Sequence, residues 1–387
     1  MTAPREGPVL VTCARAPPQV GGTPTVVYEL LKRFPKGAVA LVGKRPVRGT
    51  SSDDRMLDVP TFEVARAGAY VYPTLFQLLI LPLTFIELVR VAARVRPSSI
   101  LAVFPSLDLL ACSHVLARFL GIPIRTYLHD CVVETAANPA ERVVARVVER
   151  WTFERSAKVY AMSEPMRAFY AEKGLASETL PHGLDPSLGL SPRLAPPAGA
   201  VKVGFSGAIY ENNLQAIRDL AEAAGSGPVR IELHISCPAQ SAALLRAAGL
   251  ADRVASVRTL PTRKDVVAFL SSCDVLFIPM SFESKVRADL LTIFPTKITD
   301  YWLAGRPIVV YGPGEYRFVP LAEEEGYALC VKVRDPDALL AALVRAASVP
   351  AVGDALVLAS RGMVVRHDGD GIARRLMADL GVPGAKA

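Results

Sequence analysis

Short apolar runs alternate along this chain with longer stretches in which apolar residues recur every three or four positions. Val9–Ala14, Ala38–Gly43, Ile100–Phe104, Pro123–Asp130 and Ala157–Ser163 read as strands. Thr25–Phe34, Leu107–Gly121 and Pro139–Arg155 read as helices between them. The alternation stops at Asp185–Ala200, a Pro-, Gly- and Ser-rich stretch with no apolar period, which reads as a linker. It then resumes, with strands predicted at Val201–Gly207, Arg230–Ser236, Arg253–Arg258, Asp274–Pro279, Pro307–Gly312 and Ala328–Val333, and a terminal helix at Pro336–Ser348. Strands of five to seven residues separated by helices are the signature of parallel α/β sheets.

The fold class expected is therefore α/β, with two Rossmann-like parallel-sheet domains. The boundaries that follow are a first domain at 1–190, a linker at 191–200, a second domain at 201–350, and a C-terminal segment at 351–387 that packs back on the first domain. A length of 387 residues, 51% of them apolar, fits two cores and excludes a largely disordered chain. The net charge of +7 is uneven: residues 1–195 hold 23 Lys and Arg against 17 Asp and Glu, and the rest hold 21 against 20. No long basic run or aromatic-interleaved basic motif occurs, so nucleic acid is not the expected partner; an anionic small molecule or membrane surface is. Six cysteines without a CxxC pair read as reduced, buried residues, and the N-terminus lacks a signal-peptide apolar core, so a cytoplasmic location is expected. Ala69–Val89 is apolar over almost a bilayer's length, but Pro73, Gln77, Pro82 and Glu87 interrupt it. It reads as a buried or surface-docking helix, and with the basic first half it suggests peripheral contact with an anionic membrane.

Candidate chemistry lies in loops after strands. Gly21-Gly22 precedes a helix whose first amides suit an anion, although a GG turn is also an ordinary structural device. His129 ends the strand 123–130, where an imidazole can donate to a substrate hydroxyl or be a buried residue satisfied by backbone. In LTIFPTKITDYWLAGRPIVV, Pro295 and Thr296 open a helix whose free amides join Lys297 as a phosphate cradle, with Asp300 one turn on in reach of a ribose hydroxyl. Solvent charges with Pro and Gly as punctuation are the alternative. Asp368-Gly369-Asp370 reads as a turn, and Asp335-Pro336 as an N-cap followed by Pro. No histidine, cysteine or acid spacing indicates a metal, and neither a dinucleotide fingerprint nor a P-loop occurs.

The order FPTKITDYWLAGRPIVVYGPGEY, SEPMRAFYAEKG…LPHGLD and the Gly21-Gly22 loop resembles glycosyltransferase family 4 and the related group-1 glycosyltransferases, in a divergent branch carrying an FPTK…DYxxAGxP motif. The resemblance implies a GT-B fold, with two domains facing across a cleft. It also implies a nucleotide-diphosphate sugar held by the second domain, a glycan or lipid-linked acceptor held by the first, and retention at the anomeric carbon without a metal or other cofactor. Aligning Gly305-Arg306-Pro307 with the family pattern puts Asp300 on a ribose-binding acid and Thr292 where the family has a Glu; Glu283 is the candidate substitute. Ala208–Glu211 replaces a basic pyrophosphate contact, so Lys285, Arg287 and Lys297 become the candidate cations, with Gly207 and Tyr210 beside the phosphates. His129 matches a family histidine lining the sugar site. The expected function is a retaining transferase in cell-surface polysaccharide synthesis. A silent GT-B binding or scaffold protein and a sugar-nucleotide epimerase are the alternatives.

Overall fold

The protein is described by a computed structural model covering residues 7–19, 21–46, 56–66, 74–134, 136, 138–189, 192, 195–224, 229–283 and 287–384. The chain divides into two compact units, one of residues 1–183 and 369–387, the other of 184–368. In the first, β1 (Val9–Cys13), α1 (Gly22–Leu31), β2 (Val39–Arg45), β3 (Thr61–Arg66), α2 (Thr74–Val95), β4 (Ser99–Phe104) and α3 (Leu107–Leu120) are followed by β5 (Ile124–Leu128), α4 (Pro139–Arg155), β6 (Lys158–Ala161), α5 (Glu164–Glu172) and β7 (Glu178–Thr179). In the second, β8 (Val201–Ser206), α6 (Glu211–Ala223), β9 (Ile231–Ser236), α7 (Ala239–Ala247), β10 (Ser256–Arg258), α8 (Arg263–Ser271) and β11 (Val275–Pro279) are followed by α9 (Arg287–Thr292), α10 (Ile298–Ala304), β12 (Ile308–Tyr311), α11 (Phe318–Glu324), β13 (Ala328–Val331), α12 (Pro336–Ser348) and α13 (Pro350–Arg366). The last helix, α14 (Gly369–Leu380), returns to the first unit.

Both sheets are parallel, in the orders β3-β2-β1-β4-β5-β6-β7 and β10-β9-β8-β11-β12-β13. The strands are β-branched apolar runs because helices cover both faces, and β1, β4, β11 and β12 are buried along their whole length. Each buried Val, Leu or Ile contributes about 1.5–3 kcal/mol. Strand order reverses between β1 and β4 and between β8 and β11, and loops at the carboxyl ends there form the binding crevices of such sheets.

The structure draws the unit boundary at 183/184, ahead of the expected 190. Leu184 is fully buried among Trp302, Leu303 and Val364, and its amide donates to the carbonyl of His367 at 3.0 Å. Pro192 of the expected linker is tied down too, its carbonyl accepting from Arg306 Nη1 at 2.7 Å. The C-terminal segment divides: α13 stays in the second unit, while α14 buries Ile372, Leu376, Met377 and Leu380 in the core of the first. Gly369 and Asp370, expected in a turn, instead open α14, and Asp370 pairs with Arg33 at 2.6 Å.

The apolar segment forms α2 from Thr74 and runs through Pro82; residues 69–73 lie outside the described ones. Leu88 is buried, whereas Leu83 and Ile86 are exposed. Among the described residues, no single helix is long and apolar enough to cross a membrane. All six cysteines are unpaired.

Candidate functional site

In the first unit the chain leaves β1 and reaches Gly21 with φ +156°, a conformation L residues rarely adopt, before α1 begins at Gly22. The first turn of α1 brings Thr23 to His129, which follows β5, with Thr23 Oγ1 3.2 Å from His129 Nδ1. The imidazole packs edge-on against Tyr127, and burial pulls its pKa down to about 3, so it is neutral at pH 7. Its Nε2 is buried without a partner among the described residues. The Gly21-Gly22 loop and His129 therefore meet, and a neutral ring nitrogen remains for a ligand. Beside β2 and β4, buried Lys44 and Asp108 pair at 2.6 Å, and Ser106 donates to the same carboxylate oxygen at 2.6 Å. Thr23, Lys44, Ser106 and Asp108 were not singled out in sequence; Lys44 lies just past the strand predicted at Ala38–Gly43, which the structure extends to Arg45.

In the second unit β8 ends at Ser206 and is followed by Gly207, with φ +129°. A Cβ there would lie 3.0 Å from both Cε and Nζ of Lys297, so the lysine crosses directly over this glycine. Its ammonium stands 4.4 Å from the centre of the Phe205 ring and has no acid partner among the described residues. Burial alone lowers its pKa to about 8. Tyr301 fixes this arrangement: its hydroxyl accepts from the Ser206 amide at 2.9 Å and donates to the Phe277 carbonyl at 3.1 Å.

The helix after Pro295 starts later than its sequence suggests. It begins at Ile298, and the amides of Ile298, Thr299 and Asp300 already donate to Pro295, Thr296 and Lys297. The cradle narrows to the amides of Thr296 and Lys297, which have no acceptor among the described residues, and the Lys297 ammonium. Asp300 is not an unengaged carboxylate: Arg263 Nε donates to its Oδ1 at 2.6 Å, and Arg263 Nη2 reaches Thr299. Arg263 had not been singled out.

Tyr210 stands at the start of α6 with an exposed side chain, its amide donating to Asn213 Oδ1, so Asn213 shapes the loop that lacks the family's basic residue. Glu283 is exposed and lies 3.6 Å from Arg334, whose main partner is Asp219, rather than beside Lys297. Lys285 lies outside the described residues. Arg287 opens α9, which ends at half-buried Thr292. Among the described residues no cluster of His, Cys, Asp or Glu could hold a metal.

The model of Glycosyltransferase Family 4 matches residues 20–188, and that of Glycosyl transferases group 1 matches residues 200–348. No curated protein sequence matches the chain. Among solved structures, the sucrose-phosphate synthase from Thermosynechococcus elongatus is similar at a TM-score of 0.71 and 18% identity, over 97% of this chain and 98% of that one. The Anabaena protein HepE in complex with UDP-glucose is similar at 0.69 and 13%, over 97% and 100%. The lipopolysaccharide outer core galactosyltransferase WaaB is similar at 0.62 and 11%, over 96% and 98%. At these identities the likeness is one of fold.

Proposed function

Because the chain belongs to the GT-B glycosyltransferases whose two family models match it, we propose that it moves a sugar from a nucleotide diphosphate to an acceptor hydroxyl with retention of configuration. One observation carries the donor site: Lys297 is a desolvated cation over Gly207, at the carboxyl end of β8, with no acid partner among the described residues. A diphosphate supplies the missing anion and holds the ammonium in its charged form. The amides of Thr296 and Lys297 add donors, and Asp300, held by Arg263, presents its second oxygen to the ribose.

In the transfer, the acceptor oxygen bonds to the anomeric carbon as the bond from that carbon to the phosphate oxygen breaks. The acceptor proton passes to the departing diphosphate, whose growing charge Lys297 stabilises. The state of the side chains favours this retaining route over an inverting one, which requires a general base. Asp300, Asp108 and Glu283 are each held by a basic residue, and His129, depressed to about 3, is a weak base. His129 offers Nε2 to a sugar hydroxyl instead. No metal or other cofactor is needed for these steps.

The acceptor we infer is a glycan or lipid-linked sugar of a cell-surface polysaccharide, met at the cytoplasmic face of the membrane. Exposed Leu83 and Ile86 of α2, with Arg90 and Arg94 one and two turns on, support contact with an anionic bilayer. The unpaired thiols agree with a reducing compartment.

Calorimetric titration with UDP, GDP, ADP and dTDP tests the donor site. We expect one of them to bind, and Lys297→Met to weaken it by roughly 10- to 150-fold, as loss of a charge-assisted contact does. No binding to folded protein removes the donor reading. Binding with neither transfer nor hydrolysis leaves the silent GT-B reading, which the loop without basic residues at Ala208–Glu211 favours.

A further inference from the structure

A cavity of about 370 Å³ opens in the first unit at the amino-terminal edge of β5 and β6, one strand length from His129 at the opposite edge. Its mouth carries Arg118, from the last turn of α3, and Arg155, from the last turn of α4. Each alone is the basic residue a helix C-terminus favours. Here two converge on one cavity, neither guanidinium has a partner among the described residues, and no acidic side chain lines the space.

The cavity wall holds a second unsatisfied group. His114 is buried and stacked near Trp151, and a hydrogen-bond chain joins its Nε2 to Thr126 Oγ1 at 3.2 Å and Thr126 Oγ1 to Ser156 Oγ at 2.9 Å. Nδ1 is buried with no partner among the described residues. Burial holds the ring neutral, with a pKa of about 4. If Ser156 donates to Thr126 and Thr126 to Nε2, the one ring proton sits on Nδ1 as an unused donor. If the chain runs the other way, the Ser156 hydroxyl is left with the unused proton. Either direction leaves one donor in the cavity wall, alongside two guanidinium forks.

We propose that this cavity binds the phosphate group of a phosphate ester, at a site separate from the one for sugar transfer. Three donor groups, carried by α3 and by the end of α4, suit the several oxygens of a tetrahedral phosphate better than the two coplanar oxygens of a carboxylate. The indole of Trp151 receives the ester's organic part. The ester comes either from a soluble metabolite or from a membrane phospholipid, since Val115 and Phe119 of α3 and Val147 of α4 are exposed on the same helices.

The chain has two tryptophans, so ¹⁵N-indole NMR of the full protein gives a local readout: Trp151 lines the cavity, and Trp302 is fully buried in the other unit. The probes are glycerol 3-phosphate and vesicles of phosphatidylcholine with phosphatidylglycerol, the latter read by co-sedimentation. The exposed pair R118Q/R155Q is compared with R142Q/R146Q, which removes the same charge from exposed positions on α4 outside the cavity. Far-UV circular dichroism and an unchanged thermal midpoint certify the fold of each variant. If glycerol 3-phosphate shifts Trp151 but not Trp302, and R118Q/R155Q weakens this about tenfold or more while the control does not, the site takes a soluble ester. If only vesicles bind, with the same pattern across the two variants, it takes a lipid headgroup. Binding of neither probe, a Trp151 shift that survives R118Q/R155Q, or equal loss in both double variants overturns the proposal.

Discussion

Lys44 and Lys297 both lie near the carboxyl end of a parallel sheet, one in each unit, and their surroundings differ in one respect. The Lys44 ammonium touches Asp108 Oδ1 at 2.6 Å, Ser106 donates to the same oxygen, Oδ2 has no partner among the described residues, and the pair is closed off from solvent. Lys297 has an aromatic face, a glycine and no acid among the described residues. A buried cation with its own counterion needs nothing further, and removing either partner leaves an uncompensated charge. A desolvated cation without one pays a standing cost that only an incoming anion relieves. The contrast separates a group that holds the first unit together from the group proposed to meet the donor's diphosphate.

The largest effect tests the paired lysine. Asp108→Asn strands the Lys44 charge and should lower stability by about 3–5 kcal/mol. A denaturant titration gives the number directly. A loss under about 1 kcal/mol would mean that Lys44 is as free as Lys297, and the comparison would collapse.

Lys297 should behave in the opposite way. Its folded pKa of about 8 lies below its ordinary 10.5, so between those values the unfolded chain binds more protons than the folded one. Stability without ligand should therefore rise as pH climbs from about 8 to 10.5, by about 2–3 kcal/mol at most, since the side chain keeps some solvent access. Below pH 8 the full penalty applies. Lys297→Met should abolish this rise and be the more stable protein at pH 7, while losing the nucleotide. Matched pH–stability curves of the two proteins isolate the contribution from other titrating groups. Identical curves would show that Lys297 is well solvated.

How much of this was readable in advance depended on whether a feature is local. Five strands of the second sheet are visible in sequence because each is a short run carrying apolar residues and bounded by Gly, Pro or polar residues, while of the run predicted at Arg253–Arg258 only Ser256–Arg258 is strand. In the first sheet β3, whose apolar residues alternate with polar ones, and the two-residue β7 are not. The boundary at 183/184 was hidden because Leu184 declares its unit only through its contacts with α10 and α13. At the sites, Gly21, His129 and Gly207 stand out in sequence by residue type after a strand, and Lys297 by its place after Pro295 at a helix start. Their partners did not: Thr23 is 106 residues from His129, Asp108 is 64 from Lys44, and Arg263 is 37 from Asp300. Those pairings arise from the parallel topology, which brings successive strand ends to one edge.

The smallest effect, and the sharpest on the comparison of units, comes from the two glycines that follow the first strand of each sheet. Both have positive φ, so alanine at either position should cost about 1–2 kcal/mol of stability. Their neighbours differ. A Cβ at Gly21 meets the Pro24 ring at 3.4 Å, an ordinary contact, whereas at Gly207 it meets the end of the Lys297 side chain at 3.0 Å and must displace it. The lysine tail is flexible, so this displacement adds little to the loss of stability and moves the charge instead. Gly207→Ala should therefore weaken nucleotide binding by about tenfold, as expected for a misplaced charge-assisted contact, while Gly21→Ala leaves it unchanged at a similar loss of stability. Calorimetry on both variants at one pH decides the matter. Equal losses of affinity would mean that both loops touch the nucleotide, and the assignment of donor binding to the second unit alone would have to be given up.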